Sequence, residues 1–131
     1  MPALNARRLF GIAALFNFGV GGALLLARPL VTALLRFDAV TGTNLMTFYL
    51  AAGLITLFGY AYLLVARDPV RYRPYISLGL LGKLIAIVIA VSTWLGGYAP
   101  ATVPELAIGD VIFVGLFIRY LLQAETRVDQ S

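Results

Sequence analysis

Two residue types that carry much of biological catalysis are missing from this chain. Cysteine is absent, which excludes disulfides, thiol redox chemistry, thiolate metal sites and cysteine nucleophiles. Histidine is absent too, so imidazole ligation of haem, the usual zinc sites and every imidazole acid–base scheme are excluded. No catalytic residue, metal site or cofactor is expected from what remains. Charge is scarce: 12% of the 131 residues are Asp, Glu, Lys or Arg, against about 25% in an ordinary soluble domain. Hydrophobic residues reach 61%, against about 45–50%. That excess is too large for the core of one small domain, so lipid must cover it. The net charge of +4 could point to nucleic acid in a soluble protein. Here the cations flank apolar runs, so the sign reports membrane topology and no nucleic acid partner is expected.

A helix needs roughly 20 apolar residues to cross a bilayer core. Four segments qualify: Leu9 to Ala27, Asn44 to Ala66, Ile76 to Gly97, and Pro104 to Leu122. The expected fold is therefore all-α, a single domain over residues 1–131 forming an integral membrane bundle of four transmembrane helices. A cleavable signal peptide is the rival reading of the first segment, since Arg7 and Arg8 lead it. Its apolar stretch is long, however, and no A-x-A site follows cleanly. A cytoplasmic N-terminus puts Arg7, Arg8, Arg67, Arg71, Arg73, Arg119 and Arg127 inside and leaves Arg28 and Arg36 outside. That distribution follows the positive-inside rule, so both termini are expected in the cytoplasm of a bacterium, with the chain in its inner membrane.

Between the first two spans lies RPLVTALLRFDAVTGT. Leu30, Ala33, Leu34 and Phe37 share one helical face, and Pro29 suits a helix start, so residues 29–38 form either a short interfacial helix or a plain loop. The turn RDPVRYRPY makes the second and third spans a tight hairpin. The tail QAETRVDQS is polar and expected to fray. Tyr72, Tyr75, Trp94, Tyr98 and Tyr120 lie near span ends and read as interfacial anchors. Small residues let helices approach closely in lipid. The first span offers Gly19, Ala23 and Ala27 at four-residue steps; the third offers Gly79, Gly82, Ala86 and Ala90.

One residue interrupts GLLGKLIAIVIAVSTWL: Lys83. It shares the small-residue face of its helix, which turns it into the bundle. At a rise of about 1.5 Å per residue, Lys83 lies about 10 Å in from the cytoplasmic end of its span. By the same arithmetic Asn17 lies about 12 Å in on the first span, Tyr60 about 9 Å on the second and Asp110 about 18 Å on the fourth. A lysine reaches about 6 Å, so Asp110 is attainable from a neighbouring helix. Three readings follow. Lys83 snorkels to the headgroups; or it forms a structural ion pair with Asp110, braced by Asn17 and Tyr60; or the same polar centre handles protons, an anion or a headgroup. Tyr49 and Thr56, on the stripe Tyr49, Gly53, Thr56, Tyr60 and Arg67, are either ordinary interface residues or the lining of a ligand path. Glu105 and Asp110 are five residues apart and do not share a helix face, which argues against a paired acid–base dyad. Glu105 reads as a charge complementing the helix dipole.

The arginine-led first helix with glycines (ARRLFGIAALFNFGVGG), the glycine-bearing second helix (AAGLITLFGYAYLL), the short basic turn and two further spans resemble the small bacterial DoxX-like membrane proteins. The resemblance covers the whole chain in architecture. It implies a bundle of four helices serving as an accessory to membrane redox or quinone-linked systems, and it carries over no catalytic residue.

Two functions are expected from these features. The first is a non-enzymatic accessory or interaction subunit of a larger membrane complex, respiratory or quinone-linked, whose partners are the bilayer and other membrane subunits. The alternative is a small transporter or binder of an amphipathic or ionic ligand, acting as a homo-oligomer. An intramembrane enzyme using Asp110, Lys83 or a tyrosine is the third and weakest reading, since no nucleophile–base pair is visible.

Overall fold

A computed structural model describes residues 4–130. The described residues are all-α, with five helices: α1 (Ala6–Leu26), α2 (Arg28–Leu34), α3 (Thr43–Arg67), α4 (Arg73–Leu95) and α5 (Thr102–Asp129). Three of them, α1, α3 and α4, are long and apolar enough to cross a membrane. Their 21, 25 and 23 residues correspond to about 32–38 Å, enough for a hydrocarbon core of about 30 Å. Large apolar side chains such as Leu15, Leu57, Leu78 and Val88 stand on the outside of these helices, as a surface facing lipid requires. α5 is longer, but Glu105, Asp110 and Arg119 interrupt its apolar run.

Helix ends follow local chemistry. The Asn5 side chain accepts hydrogen bonds from the backbone N–H groups of Arg7 and Arg8 at 3.0 and 3.4 Å and starts α1. Pro29 stands in the first turn of α2, which ends at Leu34, four residues short of the expected boundary. Arg36 takes a positive φ of 57° there, a left-handed conformation that breaks a right-handed helix. The expected fraying beyond Leu122 is not what forms: α5 continues to Asp129. Its last turns are built from strong helix formers, Gln123, Ala124, Glu125 and Arg127, and the Gln123 side chain accepts a hydrogen bond from the Leu4 N–H at 3.0 Å.

The closest pairings are α1 with α3 and α4 with α5. Gly21 sets the first: a Cβ there would overlap the Thr56 hydroxyl and crowd the α3 backbone. Gly59 repeats the device against Phe18 and Asn17. Of the expected stripe of Gly19, Ala23 and Ala27, Gly19 is thus not at the interface. Gly19 faces outward with nothing within 4 Å, because residues two apart on a helix point about 200° apart and Gly21 points inward.

The two pairs meet through aromatic rings at the end that carries the chain termini. Phe10, Tyr62, Phe113 and Phe117 form the centre of the core with Leu9, Val65 and Ile76. Phe10 lies 4.8 Å from Phe117 and edge-on to Tyr120 at 5.4 Å, centroid to centroid. Tyr120 is accordingly half-buried against the core and not only an interfacial anchor, whereas Trp94 and Tyr98 are exposed. Toward the other end few residues are buried, and the space between the pairs opens into a cavity. At the far end the Thr102 hydroxyl donates to the Leu35 carbonyl, tying the segment after α2 to the start of α5.

Candidate functional site

Lys83 stands where the aromatic core ends. Its side chain is 4% exposed, and its ammonium donates to the Asp110 carboxylate at 2.6 Å and to the Asn17 Oδ1 at 3.3 Å. Three helices supply the three groups: α1 Asn17, α4 Lys83 and α5 Asp110. α3 contributes a carbonyl, since the Asn17 amide donates to the Ile55 oxygen at 3.0 Å. That bond fixes the amide so that its oxygen faces the ammonium. The side chain does not climb toward the headgroups; it turns inward, as its position on the small-residue face implies.

Three rings complete the enclosure. The ammonium lies 5.5 Å from the Phe16 centroid, 5.4 Å from Tyr62 and 5.2 Å from Phe113, all within cation–π range. Glycines make room for two of them. A Cβ on Gly79 would overlap the Tyr62 ring, and one on Gly109 would come within 2.7 Å of Phe16.

The sequence expectation placed Tyr60 at this centre, and that is corrected. Tyr60 is 53% exposed, and Tyr62 occupies the inward position. α3 buries Ala52, Gly59, Tyr62, Val65 and Ala66, and two residues away from Tyr62 the side chain must point outward. Thr56 lies in the α1–α3 contact, where its hydroxyl donates to the Ala52 carbonyl at 2.9 Å. Tyr49 sits near the α2 end of α3, its ring 5.7 Å from the Arg28 guanidinium. Neither lines the cavity described next, so the ligand-lining role expected of them is not supported by their placement. Tyr62, Phe16 and Phe113 went unrecognised. The signal for Tyr62 was present in Ala52, Gly59, Tyr62 and Ala66, which recur at seven-, three- and four-residue steps. Phe113, three residues after Asp110, shares its helix face.

Where the helix pairs diverge they leave a cavity of about 520 Å³, within the roughly 300–1,000 Å³ typical of small-molecule sites. Val20 of α1, Leu54 and Phe58 of α3, Ile85 and Ile89 of α4, and Leu106 of α5 are among its apolar walls. Its floor is polar: Asn17, Tyr62, Lys83 and Asp110. No family model, curated protein or solved structure matches this chain.

Among the described residues no cluster of side chains forms that could hold a metal ion. An ion pair held in place from three helices presents fixed polarity to whatever fills the space above it, and the walls offer only hydrocarbon and aromatic surface. The space thus has one polar end and an apolar length.

Proposed function

We propose that this chain is a non-enzymatic membrane protein that binds an amphipathic ligand, apolar along most of its length, in the cleft between the α1–α3 and α4–α5 pairs. The observation that carries this reading is the cavity of about 520 Å³ whose polar floor is the Lys83–Asp110–Asn17 centre with Tyr62 beside it. A single chain supplies every wall of the cleft, so the homo-oligomer expected for a binder is not needed to build it. Native mass spectrometry in a mild detergent tests the reading. Wild-type protein is expected to retain one lipid-sized adduct. Ala86→Trp, which fills the cleft from α4, is expected to lower adduct occupancy at least about tenfold, taking the site as a typical enclosed pocket. Leu15→Trp, on the outer face of α1, is expected to leave it unchanged. Equal occupancy in all three proteins rejects the reading.

A second reading has its own support. Gly19 and Gly53 face outward with no atom within 4 Å of a built Cβ. Exposed small residues on membrane helices favour close approach of another helix, which suits the accessory subunit implied by the DoxX-like resemblance. Other subunits, in place of lipid, would then appear in the same mass spectra.

In this proposal α5 is the fourth span, and both termini face the cytoplasm of a bacterial inner membrane. Supporting this are its pairing with α4 and the arginines of the terminal end. The chain has no cysteine, so single introduced thiols report topology directly. In intact cells an impermeant maleimide is expected to label Thr41→Cys and to label Thr126→Cys only after permeabilisation. The reverse pattern inverts the topology, and labelling of both in intact cells removes α5 from the membrane.

A further inference from the structure

We propose that the polar end accepted by the cleft is an uncharged hydroxyl that donates to Asp110, making the ligand a neutral lipid alcohol and not a fatty acid. This rests on the cleft being a ligand site and adds the chemistry of the end group.

The cation of the floor is closed off. Lys83 is 4% exposed, two of its N–H donors are taken by Asp110 and Asn17, and the rings of Phe16, Tyr62 and Phe113 stand around its ammonium. Asp110 is placed differently. Its side chain is 22% exposed and lines the cavity, and Lys83 engages one of its oxygens. An ionised carboxylate has about four lone-pair sites, so acceptor capacity remains after that bond. Asn17 is already used on both sides, accepting from Lys83 and donating to the Ile55 carbonyl. Tyr62, the fourth floor residue, is 1% exposed, so its hydroxyl is enclosed like the ammonium, and what the floor offers to the cavity is an acceptor.

Charge then selects among donors. Lys83 and Asp110 neutralise each other, so a charged end group would bring an uncompensated charge into a space walled by hydrocarbon. A carboxylate would also approach the exposed face of Asp110, anion against anion. An ammonium would compete with Lys83 for the same carboxylate beside an existing cation. A hydroxyl donates one hydrogen bond and adds no charge. An ester or ketone, which only accepts, finds its natural partner, the ammonium, enclosed. The remaining walls place no second polar side chain along the cleft, which restricts the ligand to one polar end.

Three photoreactive probes of equal chain length, each with a diazirine at the same tail carbon, test this in nanodiscs of a zwitterionic lipid at pH 8. They are a primary alcohol, the corresponding carboxylic acid and its methyl ester. The alcohol is expected to label cleft residues Leu54, Ile85 or Ile89 at least about tenfold more than either other probe. In Lys83→Met/Asp110→Leu, a variant with no net change of charge at the floor, that preference is expected to fall to about twofold or less. Apolar walls remain in this variant, so tail labelling persists. Preferred labelling by the acid or ester, equal labelling by all three probes, or an alcohol preference unchanged in the double variant would each overturn the hydroxyl assignment while leaving the cleft a ligand site. Absence of labelling at cleft residues with every probe would remove the ligand site itself. A ligand-free dimer cross-linked through these residues would do the same, giving the face to a second copy of the chain.

Discussion

Lys83→Met is expected to destabilise the protein by about 3–5 kcal/mol, the range for a buried ion pair that loses one partner. The mutation leaves the Asp110 carboxylate without its 2.6 Å partner and removes the donor to Asn17 Oδ1. The uncompensated charge, not the lost attraction, dominates the effect. Asp110→Leu is expected to be comparably damaging, since it strands an ammonium that is 4% exposed. Combining the two removes both charges, and the double variant is expected to recover most of the loss. Recovery is incomplete, because Asn17 Oδ1 stays unpaired at a cost of about 1–3 kcal/mol. Unfolding by a denaturing detergent from mild micelles measures all four proteins. Losses that add within about 0.5 kcal/mol would show that the two side chains are not coupled.

The second large effect concerns a methyl group. Gly79→Ala places a Cβ against the Tyr62 ring, which is 1% exposed and packed among Phe10, Phe58 and Phe117. Overpacking of this kind costs about 1–3 kcal/mol. Gly19→Ala makes the same chemical change where nothing lies within 4 Å, and it is expected to be neutral or stabilising by up to about 1 kcal/mol through helix propensity. Opposite signs from one substitution would locate the helix interface. A neutral Gly79→Ala would mean that Tyr62 does not fill the space beside α4, and with it the ring enclosure of Lys83 would be lost.

Helix content and the inward turn of Lys83 were readable from the sequence because each rests on a strong local signal. A run of apolar residues of bilayer length has few alternatives, and a lone ammonium among them must find a partner. Reach and rise per residue then placed Asp110 and Asn17 within range. Helix phase was harder. α3 is apolar nearly all round, so no polar face reveals its orientation, and two stripes of small and aromatic residues competed. The stripe through Tyr49, Thr56 and Tyr60 was indistinguishable by spacing from the one through Ala52, Gly59 and Tyr62. Tertiary fit decided it: Gly59 accepts Phe18 and Asn17, and Gly79 accepts Tyr62. The cavity was not legible at all. It arises from how far two helix pairs diverge, a property of several interfaces together and of no single segment. The end of α5 was hidden for another reason: its polarity suggests fraying, although its residues favour helix.

The hydroxyl of Thr102 on the Leu35 carbonyl joins the two helix pairs at the end remote from the termini, while aromatic rings join them at the other. With both ends bridged, the most open flank of the cleft is along its sides, where Leu54, Ile85 and Ile89 are about half exposed. A molecule reaching Asp110 by that route slides in from the acyl chains and never crosses water. Occupancy should then follow the concentration of the compound dissolved in the bilayer, so that equal aqueous doses of short- and long-tailed homologues fill the site according to how well each partitions.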